Sequence, residues 1–215
     1  AMTSLLLEKC ESLTAIEIDK DLIRFLKKAY GDRKNFNLIE KDILLYDPKE
    51  LVRVNKLIGN IPYNISTPII EWIIDNKSSF DEIFLMLQKE FGERCVAQPN
   101  TKSYGRLSIF VQCFFDVTVI REVDKSSFTP SPKVQSIFLK LIPKVSDMTP
   151  NSILMKNLST LTREAFSKRR KLITNSLKSF FTEEDLVNLG IERKSRPENL
   201  SVETYIKLAK SIQSG

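Results

Sequence analysis

The 215-residue sequence contains no histidine, which removes Ser-His-Asp hydrolysis and most imidazole acid–base chemistry from the possible mechanisms. Its three cysteines, Cys10, Cys95 and Cys113, are an odd number without a CxxC pair. A zinc site would need unusual ligands, so no metal is expected, and a reducing cytoplasm fits best. No apolar run approaches the ~20 residues of a membrane span. Residues 1–11 lack the charged-then-apolar layout of a secretion signal. The expectation is a soluble cytoplasmic protein with no membrane partner. Internal repeats and low-complexity segments are also missing. What is present is 42% hydrophobic and 28% charged residues, enough for a core and for at most two modest domains.

Charge is unevenly placed. Against 27 acidic side chains stand 33 lysines and arginines, and residues 151–215 hold 12 basic and 7 acidic ones, so that segment carries most of the net +6. A positive segment lowers the free energy of approach to a polyanion, most commonly nucleic acid. Many lysine-rich proteins share this balance without binding nucleic acid, so composition leaves both readings open.

The first two thirds alternate short β-like runs with helical patterns, which predicts a layered α/β domain. Residues 13–19 read as a buried strand, followed by a helix with Leu22, Phe25 and Leu26 on one face and Gly31 as its stop. Further strands are expected at 36–40, 56–60, 117–123 and 134–142. Another at 83–87 is so apolar that both its faces should be covered, as in a parallel sheet. Thr67 and Pro68 supply an N-cap and a first-turn proline for a helix over 69–75. Residues 143–150 look like a linker. Beyond it Leu154, Leu158, Leu161 and Ala165 define one amphipathic face, Thr182 to Asp185 resembles a capping box, Gly190 stops that helix and Ser201 opens the last. The division is therefore 1–145, α/β, and 150–215, a small all-helical domain.

Asn60-Ile61-Pro62-Tyr63 lies just past a buried strand, where open α/β sheets place their ligand crevice. The lone pair of a nucleobase amine is delocalised into its ring and must be relocalised before it can attack. An asparagine oxygen and the neighbouring backbone carbonyl, held by a proline, can accept both amine hydrogens and favour a pyramidal nitrogen. The tyrosine offers a stacking face. Alone, the tetrapeptide also reads as a plain turn. Two more strands end in acids: the run Ile16-Glu17-Ile18-Asp19, where a carboxylate can grip ribose hydroxyls, and Asp42, which suits an adenine amine, with the Ile43 N–H for a ring nitrogen. Each alone also reads as a solvated turn acid.

In order along nearly the whole chain, Ile16 to Asp19, Asp42, Asn60 to Tyr63, Gln88 to Glu90, Tyr104 to Ser108, Phe128 to Val134, Ala165 to Lys171 and Arg196 to Ser201 resemble the KsgA-type small-subunit (16S) ribosomal RNA adenine N6-dimethyltransferases. The resemblance implies a Rossmann-like class I methyltransferase domain using S-adenosylmethionine, with two adjacent adenosines in the 3′-terminal hairpin of 16S rRNA as substrate. It implies that Glu17 and Ile18 hold the cofactor's ribose and adenine, that Asp42 and Ile43 contact that adenine, and that Asn60 and Ile61 hold the target amine. Pro62 would keep that segment rigid, while Tyr63 and Phe128 sandwich the flipped base. Lys168, Arg169, Arg170 and Lys171 are placed for RNA phosphates, with Lys102, Arg106 and Lys133 extending the surface. A solvated helix face is the other reading of that run. The implied partner is 16S rRNA in the immature small subunit, and nothing demands more than a monomer.

One departure concerns the family's glycine-rich cofactor loop, which should stand immediately before this chain. Ala1-Met2-Thr3 matches only its tail, with Met2 in place of leucine. The first strand and loop are thus expected to be absent, leaving a central sheet position without its strand, and cofactor binding and activity by this chain are expected to be weak or nil. Two alternatives remain open: a large-subunit rRNA adenine methyltransferase of the macrolide-resistance type, and a non-catalytic ribosome-assembly factor. A DNA adenine methyltransferase fits less well, because its usual acidic first position is asparagine here.

Overall fold

The structure is a computed structural model, described here for residues 2–51, 55–128, 132–145, 149 and 152–212. Ala1, residues 129–131 of the motif that begins at Phe128, and half of the expected linker (146–148 and 150) lie outside those residues. The chain divides into two compact units, residues 1–50 and 51–215.

In the first unit, α1 (Met2–Leu7) precedes β1 (Leu13–Glu17), α2 (Lys20–Tyr30) and β2 (Phe36–Glu40). β1 and β2 pair in parallel, with Glu17 opposite Glu40. The strand expected over 13–19 stops at Glu17, because Asp19 turns outward to cap α2 by accepting from the amides of Asp21 and Leu22. Leu22 and Phe25 are exposed, contrary to expectation. Ile23 and Leu26, with Tyr30 a further turn on, form the face toward the strands, and the Tyr30 ring meets Phe36 edge-on.

The second unit is built on β3 (Lys56–Asn60), β4 (Glu82–Gln88), β5 (Phe115–Val123) and β6 (Ser136–Pro143), in the order β3-β4-β6-β5. β3 and β4 are parallel, and the remaining pairs are antiparallel. Among the described residues β1 pairs with β2 alone and β3 with β4 alone. Strand β4 is not covered on both faces. Ile83, Leu85 and Leu87 are buried while Phe84 and Met86 are half-buried, because a mixed sheet permits one wetter face, where Phe84 stacks on Phe138. Helices α4 (Lys89–Val96) and α5 (Arg106–Phe114) pack on the sheet and α3 (Ser66–Asp75) packs on α5, with Ile69, Ile73, Ile109 and Phe114 buried. Helix α3 begins at Ser66 and not after a Thr67 cap, since it grows directly from the turn Tyr63–Ile65 and the Ser66 N–H and hydroxyl both donate to the Tyr63 carbonyl.

The helical pattern past residue 151 forms as expected. It gives α6 (Ile153–Ser167), α7 (Ile173–Ser176), α8 (Glu183–Asn188) and α9 (Val202–Ser211). Leu158, Leu161 and Ala165 of α6 are fully buried and Leu154 half-buried. The capping box at Thr182 is reciprocal: its hydroxyl accepts from the Asp185 amide at 3.1 Å, and its own amide donates to the Asp185 carboxylate at 2.8 Å. Gly190 follows with φ +82°, a left-handed conformation that costs glycine nothing. Helices α6 and α9 pack on one another and on α5.

Candidate active site and nucleic-acid interface

In the first unit, Glu17 is the last residue of β1 and Asp42 lies two residues past the end of β2, at the same end of the two-stranded parallel sheet. One oxygen of Glu17 accepts from the amides of Ile18 and Asp19, at 2.8 and 2.9 Å. That grip fixes the carboxylate and leaves its other oxygen for a hydroxyl. Ile18 is 65% exposed beside it and presents an apolar surface. Asp42 accepts from the Leu44 amide at 3.0 Å and so starts the single turn Ile43–Leu45. A fixed carboxylate, an exposed aliphatic face and a second acid suit the ribose and base of an adenosine.

In the second unit, β3 ends at Asn60 opposite Met86. The Ile61 amide donates to the Met86 carbonyl at 3.1 Å, so the backbone is held one residue beyond Asn60, whose side chain is exposed. The Ile61 side chain folds back over Gly59, where an added Cβ would lie 2.6 Å from Ile61 Cδ1. Pro62 leads into the turn Tyr63–Ile65. The Tyr63 hydroxyl lies 3.1 Å from the hydroxyl of Ser136, which is buried at the start of β6. Phe128, half-buried, closes the turn Lys125–Ser127, and its ring makes no pair with Tyr63 among the described residues. Sequence reasoning missed Ser136, because a lone serine beginning a strand carries no signal until the fold brings it to the tyrosine.

The expected RNA-contacting side chains separate into two kinds. Lys102, Arg106, Lys133, Lys168, Arg170 and Lys171 are exposed, and Arg106 lies over the Phe110 ring one turn on. Lys168, Arg170 and Lys171 join Lys178 and Arg196 around a cavity of about 530 Å³ whose remaining lining is Leu172 and Asn175. Five cations and no carboxylate give this lining a positive potential, which favours the approach of anions. Arg196 was not singled out as a contact, although it opens one of the motifs. Arg169 differs from its neighbours, since its guanidinium donates to Glu198 at 2.6 Å and to the carbonyls of Lys102 and Thr101 at 2.9 and 3.1 Å.

Comparison with known proteins shows the family of the chain. A family model described as ribosomal RNA adenine dimethylase matches residues 1–214. The chain is 37% identical over 212 residues to the ribosomal RNA small subunit methyltransferase A of Coxiella burnetii, covering 97% of this chain and 81% of that protein. It is 39% identical over 215 residues to the protein of that name from Legionella pneumophila strain Corby, covering 100% and 83%. Among solved structures, a dimethyladenosine transferase from Plasmodium falciparum is 30% identical with a TM-score of 0.79, over 96% of this chain and 84% of that one. The 23S rRNA methyltransferase ErmE shares the fold, with a TM-score of 0.73 at 21% identity over 98% and 86%.

Proposed function

The chain belongs to the ribosomal RNA adenine dimethylase family of S-adenosylmethionine-dependent enzymes, and we propose that it dimethylates N6 of two adjacent adenosines in the 3′-terminal hairpin of 16S rRNA. Its fold is the Rossmann-like class I methyltransferase fold and its substrate is ribosomal RNA. The immature small subunit in the cytoplasm is the proposed setting and a monomer the proposed state. Residues 1–145 are assigned to methyl transfer and 150–215 to RNA binding.

The observation that carries the reading is the exposed amide of Asn60 on a strand end immobilised by the bond from Ile61 to Met86. When bound, S-adenosylmethionine supplies an electrophilic methyl carbon with a neutral thioether as leaving group. Glu17 and Ile18 would hold its ribose and adenine, with Asp42 and the Ile43 amide on the base edge. The fixed carboxylate of Glu17 and the exposed Ile18 fit that adenosyl half. Asn60 Oδ1 and the Ile61 carbonyl would accept the two N6 hydrogens of the unmodified adenine, and the one that remains after the first transfer, favouring a pyramidal nitrogen. Each transfer would form an N–C bond, break the S–C bond and release one N6 proton to solvent. Pro62 keeps the segment rigid, and Tyr63 and Phe128 stack on the flipped adenine. Positioning does most of the work, so no residue needs a shifted pKa. Lys102, Arg106, Lys133, Lys168, Arg170 and Lys171 meet phosphates around the base.

The test is to map modified adenosines in ribosomal RNA from cells with the gene intact, deleted, or carrying Asn60→Ala. Dimethylation of the 16S pair is expected only with the intact gene. Its persistence after deletion, or a loss confined to 23S rRNA, overturns the reading. Assembly defects that follow deletion but not Asn60→Ala would assign the biological role to docking on the subunit.

A further inference from the structure

The motifs Tyr104 to Ser108 and Arg196 to Ser201 have no part in the transfer step, yet the fold joins them in one polar clasp. The Asn100 amide donates to the Glu198 carbonyl at 2.8 Å, and the Asn199 side-chain amide donates to Asn100 Oδ1 at 2.7 Å. Asn199 Oδ1 accepts from the Arg196 amide at 2.5 Å. Asn100 has φ +69°, a left-handed conformation that an asparagine holds where its surroundings fix it. Beneath the clasp, the Tyr104 hydroxyl donates to the Leu200 carbonyl and the Tyr205 hydroxyl to that of Pro197, both at 2.9 Å. The Phe166 ring lies between those two tyrosines. Arg169 closes the arrangement with its three bonds, to Glu198 and to two carbonyls of the loop that carries Lys102.

We propose that Arg169 is a positioning residue: by tying the backbone of Thr101 and Lys102 to Glu198, it fixes where Lys102 and Arg106 meet RNA, and it does not itself contact phosphate. Each of its three guanidinium nitrogens already has a partner, one of them a carboxylate. Arg170 and Lys171, next along the chain, are exposed beside the basic cavity. The planar fork is needed because two carbonyls and a carboxylate must be held together, which a lysine ammonium cannot do in the same geometry. The inference rests on the proposed RNA-binding face.

Opposite signs decide between the roles. Glu198→Ala removes a negative charge and releases Arg169. A phosphate-contacting Arg169 would then bind RNA more tightly, whereas loss of the clasp weakens binding. With purified small ribosomal subunits lacking the modification as the probe, Glu198→Ala is expected to weaken binding on the order of three- to tenfold, and Arg169→Lys to do the same although charge is kept. In the Arg169→Lys background, Lys102→Ala should add little to the loss it causes alone. Tightened or unchanged binding by Glu198→Ala overturns the proposal. If that variant fails to fold, wild-type binding by Arg169→Lys overturns it. The underlying face is tested separately. Lys102→Ala and Arg170→Ala should each lower the slope of log K against log salt by about 0.7–0.9, and unchanged slopes in both reject the RNA-binding reading itself.

Discussion

The hydroxyl of Tyr63 lies 3.1 Å from that of Ser136, 73 residues away, and this bond orients the aromatic face on which the target base would stack. Removing the Ser136 hydroxyl leaves the ring in place but frees its far end. Ser136→Ala is expected to cost about 1 kcal/mol of stability, a fall in Tm of about 2–4 °C for a chain of this size. Methylation should slow more than stability alone explains, on the order of tenfold, because a misplaced base loses alignment with the methyl carbon. Calorimetry and methyl-transfer kinetics on the same preparations check both numbers. An unchanged rate would show that ring orientation does not matter.

Glu82 ties the sheet together from one edge. Hydrogen bonds from Lys140, first, and Lys56 lower its pKa from the ordinary 4.5 to about 2. A folded-state pKa below the unfolded one means that the contribution is fully present above about pH 4.5 and disappears as pH falls toward 2. Denaturation midpoints between pH 6 and 2 should therefore fall less steeply for Glu82→Gln than for the natural protein. The difference should shrink in high salt, since these side chains reach solvent. Parallel curves would reject the assignment.

Thiol reactivity should divide sharply. Burial pushes the Cys95 and Cys113 thiols up to about 12, and neither is accessible to reagent. Cys10 is half-buried. Alkylation of the native protein is expected to label Cys10 alone, and denaturant should expose the other two together. Mass spectrometry reads the sites directly; labelling of Cys113 in the native state would contradict the packing of α5.

Gly92 lies where α4 presses on β6. An added Cβ would stand 2.1 Å from Ile137 Cγ2, closer than side chains tolerate. Gly92→Ala is expected to cost about 1–3 kcal/mol despite alanine's better helix propensity. Ile137→Ala removes the clashing methyl but opens a cavity of its own, so the double variant should lose less than the sum of the two single losses. Urea unfolding of the single and double variants measures both effects.

The helical C-terminal pattern was legible because spacing and caps are local: Thr182 and Ser201 cap where their side chains reach an amide three residues on. The face of α2 was misread because Leu22 and Leu26, one turn apart, satisfy the same periodicity as Ile23 and Leu26, and only the neighbouring strands choose between them.

Sequence alone determined which residue types stand at the strand ends: an asparagine, a proline and a tyrosine past a buried strand, and acids at two other strand ends, because residue type and the period of two are written along the chain. Tertiary structure decided what those residues lean on. Ser136 beneath Tyr63, Ile137 against Gly92, and the employment of Arg169 within the protein while Arg170 faces solvent all depend on partners 29 to 73 residues distant. Two adjacent arginines are equivalent as letters. Their roles separate only when the folded backbone offers carbonyls and a carboxylate to one of them.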